Sequence, residues 1–245
     1  MKRNLLIGSL LLAAGTLLAA DLKDEVTAAA KKLADKDNYS WKQTSENAGG
    51  GGFGGGASEG KTQKDGLIWV SRPGRDNNTI ESVKKGEKGA VKTQDGWQSL
   101  AELAAANQGG GGGGGGQGGG MGRFMAMGLR NMKAPAAQAE DLAGKVKELK
   151  KDGEAYVGEL TEDGAKAQLS FGGRAGGNGP EISGAKGSVK FWIKDGVLAK
   201  YELKVKGTMS FNGNDRDIDR TTTVEIKDIG STKIEVSDEA KKKLE

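Results

Sequence analysis

The chain contains neither cysteine nor histidine. Without cysteine there is no disulfide, no thiol nucleophile and no thiolate metal site. Without histidine a Ser-His-Asp triad and an ordinary zinc site are both excluded. Aromatic residues make up only 5% of the chain, too few for the stacking platform of a single-strand nucleic-acid binder. No apolar run is long enough to span a membrane. Charge of one sign is also lacking: 37 basic residues face 33 acidic ones, interleaved along the chain and not gathered into a stripe, which argues against a nucleic-acid partner.

The N-terminus reads as an export signal. Lys2 and Arg3 precede the short apolar run Leu5 to Ala14, and Leu18-Ala19-Ala20 is a small-residue cleavage signal before Asp21. Residues 1–20 are therefore expected to be removed, leaving a periplasmic or secreted protein with no membrane span. Residues 21–245 are expected to form a single domain. Glycine-rich loops are expected at 48–57, 107–122 and 172–187, because such tracts pack no core.

The most regular stretch begins at Val197. Its odd positions are Val197, Ala199, Tyr201, Leu203, Val205, Met209 and Phe211; its even ones are Lys200, Glu202, Lys204, Lys206, Thr208 and Ser210. A period of two specifies a long antiparallel strand with one buried and one wet face. Asp195-Gly196 and Asn212-Gly213 supply the positive φ of tight turns at its two ends. Val189, Phe191 and Ile193 mark the strand before it; Ile218, Thr222, Val224 and Ile226 mark the one after. Leu67 to Ser71 is apolar on both faces, Leu67 and Trp69 on one and Ile68 and Val70 on the other, so both must be covered.

Helices are expected where the period changes. Asp21 reads as an N-cap for a helix carrying Leu22, Val26, Ala29 and Leu33. Trp97 to Ala106 reads as a short helix, and Phe124, Met125, Met127, Leu129 and Met132 as a Met-rich one. Pro135 opens a further helix to about Leu149, and Thr161 caps one to about Leu169. Ile234 and Val236 suggest a last short strand, with Ser237 capping a charged C-terminal helix. The fold class is α+β: a curved antiparallel sheet, a half-barrel, covered by helices.

Two motifs invite a chemical reading. Gly55-Gly56-Ala57-Ser58-Glu59-Gly60-Lys61-Thr62 matches the phosphate-binding loop pattern. That mechanism requires a buried strand before the loop and a helix after it; here a glycine tract precedes and a turn follows. Asp215, Asp217 and Asp219 are spaced like the start of a calcium loop, but Arg220 and Ile226 stand where Gly and Glu belong. A solvated strand face accounts for them better. No catalytic residues, metal ligands or cofactors are assigned, and no enzyme activity is expected.

The order of parts resembles a known family. A signal and helix lead to Gly66-Leu67-Ile68-Trp69 and Asp95-Gly96-Trp97. The hairpin Phe191-Trp192-Ile193-Lys194-Asp195-Gly196 precedes two long strands, with Thr221-Thr222-Thr223-Val224 in the second. This is similar to the LolA/LppX-like superfamily of bacterial envelope lipoprotein and lipid carriers, chiefly over 187–244 and more loosely over 21–105. The lipobox cysteine of its lipoprotein members is missing, and the lumenal arginine of lipoprotein carriers has no match. The resemblance implies a half-barrel around an apolar cavity plugged by helices, and acyl chains of a lipid or lipoprotein as partner. Trp69, Phe124, Met125, Met127, Phe191, Trp192 and Tyr201 are the candidate cavity residues, Met being suited to irregular apolar ligands. The alternative is a structural or interaction protein of the envelope that uses its glycine-rich loops for contact.

Overall fold

The computed structural model describes residues 12–48, 56–74, 78–105, 118–170, 180–211 and 213–245, with backbone alone for 12–21, 118–124 and 211. Among the described residues eleven strands form one open antiparallel sheet: β1 (Asn38–Asn47), β2 (Gly56–Gln63), β3 (Leu67–Pro73), β4 (Thr79–Lys85), β5 (Lys88–Thr93), β6 (Gly96–Ser99), β7 (Val146–Asp152), β8 (Ala155–Leu160), β9 (Glu181–Lys194), β10 (Val197–Phe211) and β11 (Asn214–Lys227). Their spatial order is β6-β5-β4-β3-β2-β1-β11-β10-β9-β8-β7. This is the curved half-barrel that the alternation implies. One edge strand, β7, carries Lys147, Lys150 and Lys151, charges that blunt pairing with another chain.

One face of the sheet holds the core. Tyr201, Leu203 and Val205 of β10, Val189 and Phe191 of β9, Val224 of β11, and Tyr39 and Trp41 of β1 are buried there beneath three helices. These are α1 (Leu12–Ala34), α4 (Pro135–Gly144) and α5 (Glu162–Leu169). Two further helices, α2 (Leu100–Ala105) and α3 (Gly118–Asn131), cover the same face over Val91 of β5. The opposite, outer face is polar along β9–β11. Along β3–β6 it is apolar, and there the C-terminal segment and α6 (Asp238–Lys242) pack on Val83, Ala90 and Trp97. The doubly apolar strand β3 is thus covered on both sides: Ile68 and Val70 join the main core, and Trp69 packs with the outer cluster.

Several boundaries differ from the sequence reading. Leu198, not Val197 or Ala199, is fully buried, because a register shift between Leu198 and Lys200 changes the phase of β10. Helix α1 begins before Asp21, which lies inside it: the Ala- and Leu-rich stretch from Leu12 contains no proline, and its strong helix formers carry the helix past Gly15. The helix from Pro135 stops at Gly144, and Val146 onward pairs with β8 instead. Gly96 to Ser99 is drawn into the sheet as β6, so α2 starts only at Leu100. There Ser99 and Glu102 form a capping box, each accepting the other's backbone N–H. Ile234 and Val236 form no strand; they are half-buried in an extended strap. Of the expected glycine-rich loops, Glu181 to Gly187 are the first half of β9, Gly56 and Ala57 open β2 and 118–122 open α3, while 49–55, 107–117 and 172–179 lie outside the described residues. The Thr161 and Ser237 caps are formed as read, accepting from Gly164 N and Ala240 N.

Candidate functional site

The apparent phosphate loop is a strand. Gly56 to Gln63 pairs with β1 and β3, and each motif residue has a different task. Gly60 lies opposite Trp41, and a Cβ there would come within 2.1 Å of the indole, so only glycine lets that ring lie flat on its neighbour. Lys61 points outward, with its ammonium 5.2 Å above the Trp69 ring. Thr62 points inward and donates to the Leu67 carbonyl at 3.0 Å. No cradle of backbone N–H groups results.

The Asp triplet is likewise absorbed into cross-strand pairs. Asp215 accepts from Ser210 and Asp217 from Thr208, while Asp219 pairs with Lys206 at 2.8 Å. The Lys206 contact holds the Asp219 carboxyl below its ordinary pKa. Arg220, between these positions on the other face, is half-buried and donates to the Gln168 carbonyl at 2.9 Å. It thereby ties β11 to the last turn of α5.

The densest aromatic group lies on the concave face. Tyr39 and Trp41 approach at 6.0 Å between ring centroids, and Phe191 and Tyr201 at 6.4 Å, both pairs tilted as the ring quadrupoles favour. Tyr39, Phe191 and Tyr201 are fully buried. Helix α4, packed on α1, meets the two tyrosines of this group and presents mainly small side chains: Ala136, Ala139 and Ala143, with Leu142.

Two phenol hydroxyls latch this helix. The Ala136 N–H donates to the Tyr39 hydroxyl at 3.3 Å, and the Tyr201 hydroxyl donates to Gln138 Oε1 at 2.7 Å. The first bond does the work of an N-cap. Ala134, at the cap position, has no oxygen to offer, so a residue nearly a hundred positions away supplies one. Burial pushes the Tyr39 phenol up to about 12, only partly offset by its bond from Ala136. Burial raises Tyr201 further.

The seven residues singled out from the sequence fall in separate places. Phe191 and Tyr201 share the concave aromatic group. Met125 is half-buried against Val91, Leu100 and Leu103, and Met127 is half-buried elsewhere on α3. The Phe124 side chain lies outside the described residues. Trp192 and Trp69 are on the outer face, Trp192 with the Lys200 ammonium 4.9 Å over its ring. The sequence reading missed Tyr39, Trp41 and Gln138 as members of the concave group; what the Tyr39 hydroxyl meets follows only from packing.

On the outer face, two adjoining clefts of about 440 and 490 Å³ flank the strap at 228–237 and share Lys61 and Lys233. The strap is pinned near its start, where Thr232 N donates to Asn38 Oδ1 at 2.7 Å and Ser40 to Asp228 at 2.7 Å. At its far end Glu239 Oε1 accepts from Trp97 N at 3.0 Å, and Lys243 reaches Glu102 at 2.6 Å. Among the described residues no cluster of metal-ligating side chains occurs, and no helix is long and apolar enough to cross a membrane.

No family model matches the sequence, and no curated protein matches it. Among solved structures the chain is similar to LprF from Mycobacterium bovis, at 10% identity and a TM-score of 0.44, over 90% of this chain and 98% of that one. It is also similar to the lipoprotein LppX of Mycobacterium tuberculosis, at 10% identity and a TM-score of 0.47, over 88% of this chain and 98% of that one.

Proposed function

We propose that the chain is an exported, non-enzymatic carrier of LolA/LppX-like architecture that holds acyl chains of a lipid or lipoprotein between the concave face of its sheet and helix α4. The observation that carries this reading is the way α4 is held. The apolar, aromatic floor of Tyr39, Trp41, Phe191 and Tyr201 shares its core with α1 and, where the two tyrosine hydroxyls reach it, with α4, whose buried surface is mostly alanine. Small side chains bury little area, so moving this helix costs less than moving a leucine-lined one. Its two phenol latches are single neutral hydrogen bonds, each worth about 1 kcal/mol. An acyl chain entering beneath α4 would take the place of the alanines against the aromatic floor. The binding requires no reacting group, in keeping with a chain that has neither histidine nor cysteine. Export is supported by Lys2 and Arg3, the apolar run and the Leu18-Ala19-Ala20 site.

The test is organic extraction of the purified protein followed by mass spectrometry, with binding of a fluorescent fatty acid measured on the delipidated chain. Co-purified acyl lipid and saturable uptake of the probe are expected. An extract free of lipid, together with no uptake, would overturn the proposal.

A further inference from the structure

The outer-face clefts lie on the opposite side of the sheet from α4, and their lining has a different chemistry. Trp69 is half-buried at their apolar end beside Val83, with Trp97 and Val236 next to it. Around this floor stand Lys61, Lys92 and Lys233 with Glu81, Glu235 and Ser237. Lys92 is engaged with Glu81 at 3.4 Å. Among the described residues, neither Lys61 nor Lys233 has a carboxylate within ion-pair distance. Both stand where the two clefts meet, and Lys61 is parked over the Trp69 ring.

We infer that this trough binds an acidic saccharide chain. A flat indole suits the C–H face of a sugar ring. The carboxylates of Glu81 and Glu235 accept from hydroxyls, and the ammoniums of Lys61 and Lys233 take the ligand's anionic groups. Drawing Lys61 from the ring to the ligand uncovers the indole face that stacks. The mixed lining excludes other classes. A fatty acid needs more apolar depth than Trp69, Val83 and Val236 provide, and a polyphosphate has no hydroxyls to donate to Glu59, Glu81 and Glu235, which an acidic saccharide does. The two clefts, continuous through Lys61 and Lys233, suit an extended oligomer better than a single ring. Because this site is on the other face of the sheet, it stands or falls independently of the lipid reading.

The experiment titrates the full chain with tetragalacturonate, maltotetraose and ATP, following tryptophan emission and heat. Tetragalacturonate is expected to bind and to perturb Trp69. Maltotetraose should bind at least about tenfold more weakly, and the double variant Lys61→Gln/Lys233→Gln should weaken tetragalacturonate by about tenfold while circular dichroism stays unchanged. Added salt should weaken it as well. Trp69→Leu should lose the emission change and Trp192→Phe should keep it. Failure to bind tetragalacturonate at millimolar concentration would overturn the assignment. So would equal binding of maltotetraose, tighter binding of ATP, or indifference to the lysine variant.

Discussion

Removing the two phenol hydroxyls that hold α4 is the sharpest perturbation the structure suggests. Tyr39→Phe leaves the ring and its packing in place but orphans the Ala136 N–H, which is buried under the start of α4 and has no side-chain cap of its own. An unsatisfied buried donor costs about 1–3 kcal/mol, and the 3.3 Å length of this bond places the loss near the lower end. Tyr201→Phe frees Gln138, which is half-exposed and turns to water, so about 0.5–1 kcal/mol is lost there. Each change of about 1 kcal/mol shifts the opening of α4 roughly fivefold. Hydrogen exchange of the amides at 135–144 should therefore quicken about fivefold in either variant and more in the double variant. Exchange in β10 and the inner face of α1 should not change. The same shift should tighten fatty-acid binding by up to that factor, because a larger fraction of the protein is then open to ligand. Unchanged exchange in α4 would refute the reasoning. So would a uniform rise across α1, α4 and β10, or weaker binding of the probe by the variants.

Two further outcomes follow from the same geometry. Gly60→Ala should lower the melting temperature markedly, by the equivalent of about 2–3 kcal/mol in thermal or urea unfolding, since its Cβ would lie 2.1 Å from the Trp41 indole; Lys61→Ala, whose side chain lies on the outer surface, should leave stability nearly unchanged. All three tyrosines have raised pKa values, from burial at Tyr39 and Tyr201 and from the Glu25 hydrogen bond at Tyr156. The folded protein favours the neutral phenols, so their contribution is intact below about pH 10, the ordinary tyrosine value, and the share of Tyr39 is lost as pH rises through about 12. Absorbance at 295 nm should show most tyrosine still neutral at about pH 10 while the circular dichroism is native, with ionisation arriving together with unfolding above it; an ordinary titration of all three in the folded state would contradict the burial.

The chain by itself determined those features that depend on near neighbours. Alternation at Tyr201, Leu203 and Val205 committed β10 to one buried face, since successive side chains of a strand must point to opposite sides. Thr161 and Ser237 set their helix starts because a cap bonds only a few residues away. The two apolar faces of Leu67 to Val70 required cover on both sides, and α-helical and C-terminal segments supply it.

Tertiary structure decided whatever depends on distant partners. A register shift with β9 moved the buried position from Val197 and Ala199 to Leu198. Pairing with β5 turned Gly96 to Ser99 into strand before helix could begin, and pairing with β1 and β3 converted a phosphate-loop pattern into β2. In that strand Gly60 serves the ring of Trp41 and Lys61 faces Trp69 across the outer surface. The Tyr39 hydroxyl that completes the start of α4 likewise comes from a residue far away in the chain. Periodicity records which face of an element is dry. Which side chain meets which across that face is settled only when the elements pack.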